Sequence, residues 1–129
     1  MSGPTSSVLG AAARYKNTQV KTCSPAELVL MLLDGVIRFS AEAEQAMVSG
    51  DRAKTGERID RTHKILEELA AGLDPRHAPD LCENLASVYD FCANRILLAN
   101  LERKPEYLRE AVAAIRPIRE GWAQILGKP

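Results

Sequence analysis

The sequence predicts an all-α fold: an antiparallel up-down four-helix bundle preceded by a short, partly mobile N-terminal segment. Two observations predict it. Apolar residues return every three to four positions in four stretches of about 22 residues, each long enough to span ~33 Å as a helix. Each stretch is bounded by helix start and stop signals, with short joins that bring consecutive helices together antiparallel. No strand-like alternation of useful length competes.

The first helix, about 24–48, has the clearest start. Ser24-Pro25-Ala26-Glu27 sets a capping serine, a proline at the first helical position and a glutamate at the third. Serine oxygen and glutamate carboxylate can each accept from an otherwise orphan backbone N–H. Ser49-Gly50 ends this helix, and Asp51 caps the second, about 51–73. The loop Pro75-Arg76-His77-Ala78-Pro79 holds two prolines and cannot continue a helix. A third helix covers about 80–101, and Lys104-Pro105-Glu106 opens the fourth, about 105–126. Pro117 lies inside that last helix, yet Leu108, Val112, Ile115, Ile118, Trp122 and Leu126 keep one stripe across it. One kinked helix is therefore expected, with Trp122 buried. Residues 1–22, rich in Ser, Gly, Thr and Ala at their start, form a segment that is mobile or packed beside the bundle, and 23–127 form the bundle.

The apolar faces differ in width. The second helix carries one narrow stripe, Ile59, Thr62, Leu66, Leu69 and Leu73. The first is far broader. Leu28, Leu32, Gly35, Phe39, Ala43 and Ala46 make one face, and Val29, Leu30, Leu33, Val36 and Ile37 an adjacent one. Together they cover over half the circumference, against the roughly 100° that a core-facing helix needs. Either this helix is central and touches two neighbours, or it lines a groove for an apolar guest. On the third helix, Leu81, Leu85, Val88, Cys92 and Ala99 are expected to face the core, with Phe91 and Leu98 on another flank.

Composition excludes several functions. Seventeen basic residues balance seventeen acidic ones, so the basic excess of a nucleic-acid binder is missing. Three cysteines without a Cys-x-x-Cys pair suggest neither a disulfide framework nor zinc, and fit a reducing compartment, the cytosol. The N-terminus does not read as a secretory signal, and the longest apolar run, Leu28 to Leu33, is too short to span a bilayer. His63 invites comparison with histidine phosphotransfer bundles, but Ile65 and Leu66 stand where a small residue would admit a partner's aspartate. Asp60-x-x-His63 occurs once, whereas a bundle di-iron site needs two Glu-x-x-His pairs and further carboxylates. No catalytic, cofactor-binding or metal-binding residue is assigned, and the chain is not expected to be an enzyme.

One family shares the order and spacing of the remaining signals. Tyr15, Val20, Thr22, Ser24-Pro25, Glu27-Leu28, Met31-Leu32-Leu33-Asp34-Gly35, Leu69, Leu73-Asp74, Asn84-Leu85, Tyr89-Asp90-Phe91, Arg95, Ala99-Asn100 and Trp122 resemble the flagellin-specific export chaperone of the bacterial flagellum, FliS. The resemblance runs from residue 15 to about 126. Departures are Leu33 where an aromatic is common, the Arg76–Pro79 loop in place of a glycine-rich one, Pro117, and a longer N-terminal extension.

The resemblance implies a cytosolic chaperone that binds the disordered C-terminal segment of flagellin in apolar grooves on the outside of the bundle. Binding would block premature polymerisation and carry the guest to a cytoplasmic domain of the flagellar type III export gate. It implies no cofactor, no nucleic acid and no membrane insertion. The groove candidates are Tyr15, Val20, Val29, Leu33, Val36, Ile37, Phe91 and Leu98. The alternatives are a helical adaptor or chaperone for another secretion partner, and a histidine phosphotransfer domain.

Overall fold

A computed structural model describes residues 24–129. Four helices make up its regular structure: α1 (Pro25–Val48), α2 (Arg52–Ala71), α3 (Pro79–Glu102) and α4 (Glu106–Ile125). They stand at the corners of a square, each packed on its two neighbours, with α1 touching α2 and α4 and the α2–α3 seam the loosest of the four. Residues paired across the α1–α4 seam run in opposite directions, and short turns join the consecutive helices. Between α1 and α4, Glu44 meets Arg109 and Asp34 meets Arg119 at 2.7 Å, and just beyond α4 Lys128 meets Glu27 at 2.8 Å. On α1 and α2, Glu42 meets Arg58 at 2.6 Å. The bundle is therefore antiparallel throughout.

The helix ends follow local chemistry. Ser24 Oγ accepts from the Glu27 N–H at 3.1 Å, and the Ser24 N–H donates to Glu27 Oε1 at 2.9 Å, which completes the capping box the sequence announces. Asp51 Oδ1 accepts from the Lys54 N–H at 3.0 Å and starts α2. That helix stops at Ala71, two residues before the expected Leu73, because Gly72 takes the C-cap position. The loop beyond it is held by Asp74, whose carboxylate accepts from the Arg76 backbone N–H and from its guanidinium. No side chain caps α3. It begins at Pro79 after Ala78 and ends at Arg103, both residues in the left-handed region, at φ 50° and 58°. Left-handed backbone is costly for any residue with a Cβ.

Helix α4 is uninterrupted from Glu106 to Ile125, with Pro117 inside it and exposed. Ala113, whose carbonyl loses its donor, is exposed too, so water can serve it. Leu108 and Ile115 are fully buried, and Trp122 packs half-buried against the core.

The centre of the core is Leu33, Val36, Cys92, Ile96, Leu108 and Ile115, none with accessible surface. Gly35 sets the closeness of α1 and α2, since a Cβ there would lie 2.9 Å from Ile65 Cδ1. Over this seam the guanidiniums of Arg38 and Arg61 sit 4.6 and 4.5 Å from the Phe39 ring. Cys92 Sγ points at the Ala111 carbonyl, 3.4 Å away, and burial pushes its thiol up to about 11.

Two groove candidates need correction. Leu33 and Val36 belong to the core cluster and offer a guest nothing to touch. The broad arc of α1 is covered because that helix is central and packs on both α2 and α4. Leu81 errs in the other direction: it was expected to face the core and is 57% exposed, in the first turn of α3.

Three outcomes follow from these contacts. Leu33→Asp should abolish cooperative unfolding and most helical circular dichroism, whereas Leu33→Ala should cost about 2–5 kcal/mol in a denaturant melt. Pro117→Ala should stabilise the protein by on the order of 1–3 kcal/mol, since it restores a hydrogen bond and removes a clash at a solvent-facing site. Stability should also fall in acid. The Lys128 ammonium and the Ser24 N–H hold the Glu27 carboxyl at about 2 against an ordinary 4.5, and Arg76 holds Asp74 at about 2. Because both values are depressed, their contribution is complete above pH 4.5 and is lost as pH falls from there toward 2. Thermal melts across that window should show a shallower loss for Glu27→Gln than for the parent.

Candidate functional site

The apolar surface left uncovered by the bundle lies mainly on α3. Its core side is Tyr89, Cys92, Ile96 and Ala99, all buried, with Leu85 and Val88 half-buried at its margin. At 100° per residue the remaining apolar residues fall on both flanks. Phe91, 39% exposed, and Leu98, half-buried, lie on the flank toward α4. There Arg95 stacks 4.7 Å from the Phe91 ring and 5.5 Å from that of Tyr107, and its Nε approaches Glu110 Oε1 at 3.4 Å. Leu97 and Leu101, 48% and 74% exposed, lie one turn apart on the opposite flank, toward α2. Ala86 and Ala93, both half-buried, share that flank. The loose α2–α3 seam runs beside it, and on the α2 side Gly56 has open space where a side chain would stand.

This surface suits an extended or helical apolar segment, not a small polar molecule. Apolar residues at spacings of three, four and seven on one helix form the ridges that a guest's own apolar face can grip. The surrounding charges are sparse: Asp90 is exposed, and Arg95 is already engaged by Glu110 and two rings.

The groove candidates do not converge on one place. Tyr15 and Val20 lie outside the described residues. Leu33 and Val36 are core. Val29 and Ile37 are half-buried and packed against the core cluster. Phe91 and Leu98 share one flank of α3, but α1 and α3 occupy opposite corners of the square, so the two sets cannot line a single groove. Leu97, Leu101 and the exposed Leu81 were not among the candidates. For Leu97 the signal lies in Ile96-Leu97-Leu98, three consecutive apolar residues that cannot all face one core.

Other positions of interest have structural partners. Asp34 pairs with Arg119 and ties α1 to α4. His63 is half-buried, with Nε2 3.7 Å from Glu67 Oε2 and Nδ1 lacking a hydrogen-bond partner. The residues after it, Ile65 and Leu66, are both buried. Among the described residues no group of His, Cys, Asp and Glu could hold a metal ion, and no helix is long and apolar enough to cross a membrane.

Comparison with known proteins accords with this architecture. Residues 8–129 match the model of the family described as flagellar protein FliS. The flagellar secretion chaperone FliS of Vibrio cholerae is 32% identical over 120 residues, covering 90% of this chain and 88% of its own. That of Salmonella typhimurium is 32% identical over 110 residues, covering 84% and 82%. That of Bacillus subtilis is 28% identical over 112 residues, covering 87% and 83%. A crystal structure of a flagellar chaperone from bacteria shares the fold, with a TM-score of 0.75 over 92% of this chain and 97% of that one at 20% identity. The chain belongs to the FliS family of flagellar secretion chaperones, which are not enzymes.

Proposed function

We propose that this chain binds the disordered C-terminal segment of flagellin in the cytosol, blocks its premature polymerisation and delivers it to the flagellar type III export gate. The observation that carries the reading is the apolar surface of α3, which holds Leu81, Phe91, Leu97 and Leu101 among the exposed large apolar residues, with Val48 and Ile125 isolated at the ends of α1 and α4. Membership of a secretion-chaperone family supplies the class of partner, a secreted flagellar protein. A guest that polymerises through apolar helices would bring matching surface, and covering it would keep the guest unassembled.

The energetics permit such a complex. Ordering a disordered guest consumes roughly 2–5 kcal/mol or more of the gross interaction. At ~25 cal/mol per Å² of apolar surface, a few hundred Å² of burial on α3 offsets that cost. Phe91 and Leu98 on one flank, with Leu97 and Leu101 on the other, are the contacts we assign to the guest. Val29 and Ile37 are half-buried and would add to the contact only at their exposed edges.

Calorimetry against a peptide covering the last few dozen residues of flagellin tests the proposal. The expected result is a complex with a negative heat-capacity change from apolar burial. Leu97→Asp combined with Leu101→Asp should weaken it by about tenfold or more, in line with the loss of two buried leucines. The same pair should lower the denaturant midpoint only modestly and leave unfolding cooperative, because Leu101 is largely and Leu97 about half exposed in the free protein and the main cost is helix propensity at the end of α3. Absence of binding at tens of micromolar would refute the reading.

A further inference from the structure

One surface hollow is lined by basic residues and no acidic one. It lies at the end of the bundle where the α1–α2 turn meets the C-terminus of α3, and is lined by Met47, Gly50, Arg52, Thr55 and Arg103. Arg52 and Arg103 are exposed, and among the described residues neither has an ion-pair partner. The hollow beside Val48 balances Lys54 with Glu44 and Asp51. The hollow between α4 and the C-terminal tail contains Arg119 and Lys128, already paired with Asp34 and Glu27. Asp51, the nearest carboxylate in sequence to Arg52, is turned onto the Lys54 N–H. Two uncompensated guanidiniums therefore stand at one end of the molecule.

The exposed leucines of α3 stand at the same end of that helix as Arg103. Leu97 and Leu101 are one turn apart, and Arg103 follows Leu101 by two residues at the helix end. A chain laid along this flank, with its apolar side chains over the leucines, arrives with its next group at the arginines. A carboxylate is the group that two guanidiniums recognise best, because its paired oxygens fit their forked donors.

We infer that this hollow receives the terminal α-carboxylate of the guest, so that the guest lies along α3 with its C-terminus at the α1–α2 end of the bundle. The inference rests on the reading that the guest is the C-terminal segment of flagellin. A C-terminal segment necessarily ends in a free carboxylate, and this hollow supplies the charge and the adjoining apolar path to hold it.

The backbone of Arg103 makes a clean test available. At φ 58° it occupies the left-handed region, which asparagine tolerates better than arginine. Arg103→Asn thus removes the guanidinium without removing a helix-end contact, and its denaturant midpoint should equal or exceed the parent's. The experiment is calorimetry of the full chain and of Arg103→Asn with the flagellin C-terminal peptide, made once as the free acid and once as the C-terminal amide. The free acid should bind the parent about tenfold more tightly than the amide, the scale of one charge-assisted hydrogen bond. Arg103→Asn should lose a similar factor toward the free acid and none toward the amide. Equal affinity of the parent for both peptides, or an equal loss toward both in the variant, would overturn the inference while leaving the flagellin reading intact. If neither peptide binds the parent, the flagellin reading fails and this assignment falls with it.

Discussion

The close approach of α1 to α2 at Gly35 governs the rest of the bundle. With no Cβ in the way, Ile65 packs directly on the α1 backbone, and α1 sits deep between its neighbours. Its apolar arc is then divided between two partners: Leu28, Gly35 and Phe39 lie toward α2, and Leu33 and Ile37 toward α4. Ion pairs close the rims, Glu42 with Arg58 on one side and Asp34 with Arg119 on the other. These exposed pairs add little energy and mainly fix direction and register. The stabilisation comes from burial around Leu33, Val36, Ile96, Leu108 and Ile115.

Much of this architecture was legible in the sequence, because helix boundaries are written in local chemistry. Ser24, Pro25 and Glu27 name the start of α1, Asp51 the start of α2, and the prolines at 75 and 79 the break before α3. The continuity of α4 through Pro117 was legible too, since a stripe that keeps its phase requires the helix to continue. The accessible surface was not. Periodicity measures the width of an apolar arc but says nothing of how many neighbours cover it. A wide arc on a central helix and a wide arc on an open one therefore read alike. Leu33 and Val36 read as surface for this reason, and Leu97 and Leu101 give no clear signal because α3 spreads its apolar residues instead of stacking them on a second clean face.

The division of roles between the two diagonal helices has a physical logic. A helix with both flanks packed cannot exchange its contacts without opening the bundle. A helix with exposed flanks can gain contacts while the core stays intact. α3 is of the second kind: Tyr89, Cys92, Ile96 and Ala99 anchor it, while Phe91, Leu97 and Leu101 remain outside. Its ends are strained, with Ala78 and Arg103 both in left-handed backbone and no side-chain cap at the start. Such ends persist only where the surrounding structure holds them. Here the core residues of α3 and the two turns do so.

The square arrangement also bears on how the chain is made. Three of its seams join helices consecutive in sequence, and the fourth joins α1 to α4. As the polypeptide emerges from the ribosome, α1 can find α2 early, but among the described residues its other flank gains its helical partner only when residues 106–125 have been translated. Leu33 and Ile37, which complete the core against α4, are thus the side chains left facing water for longest during synthesis. The chain thus spends its first moments with an apolar flank open, and the last helix to be made is the one that covers it.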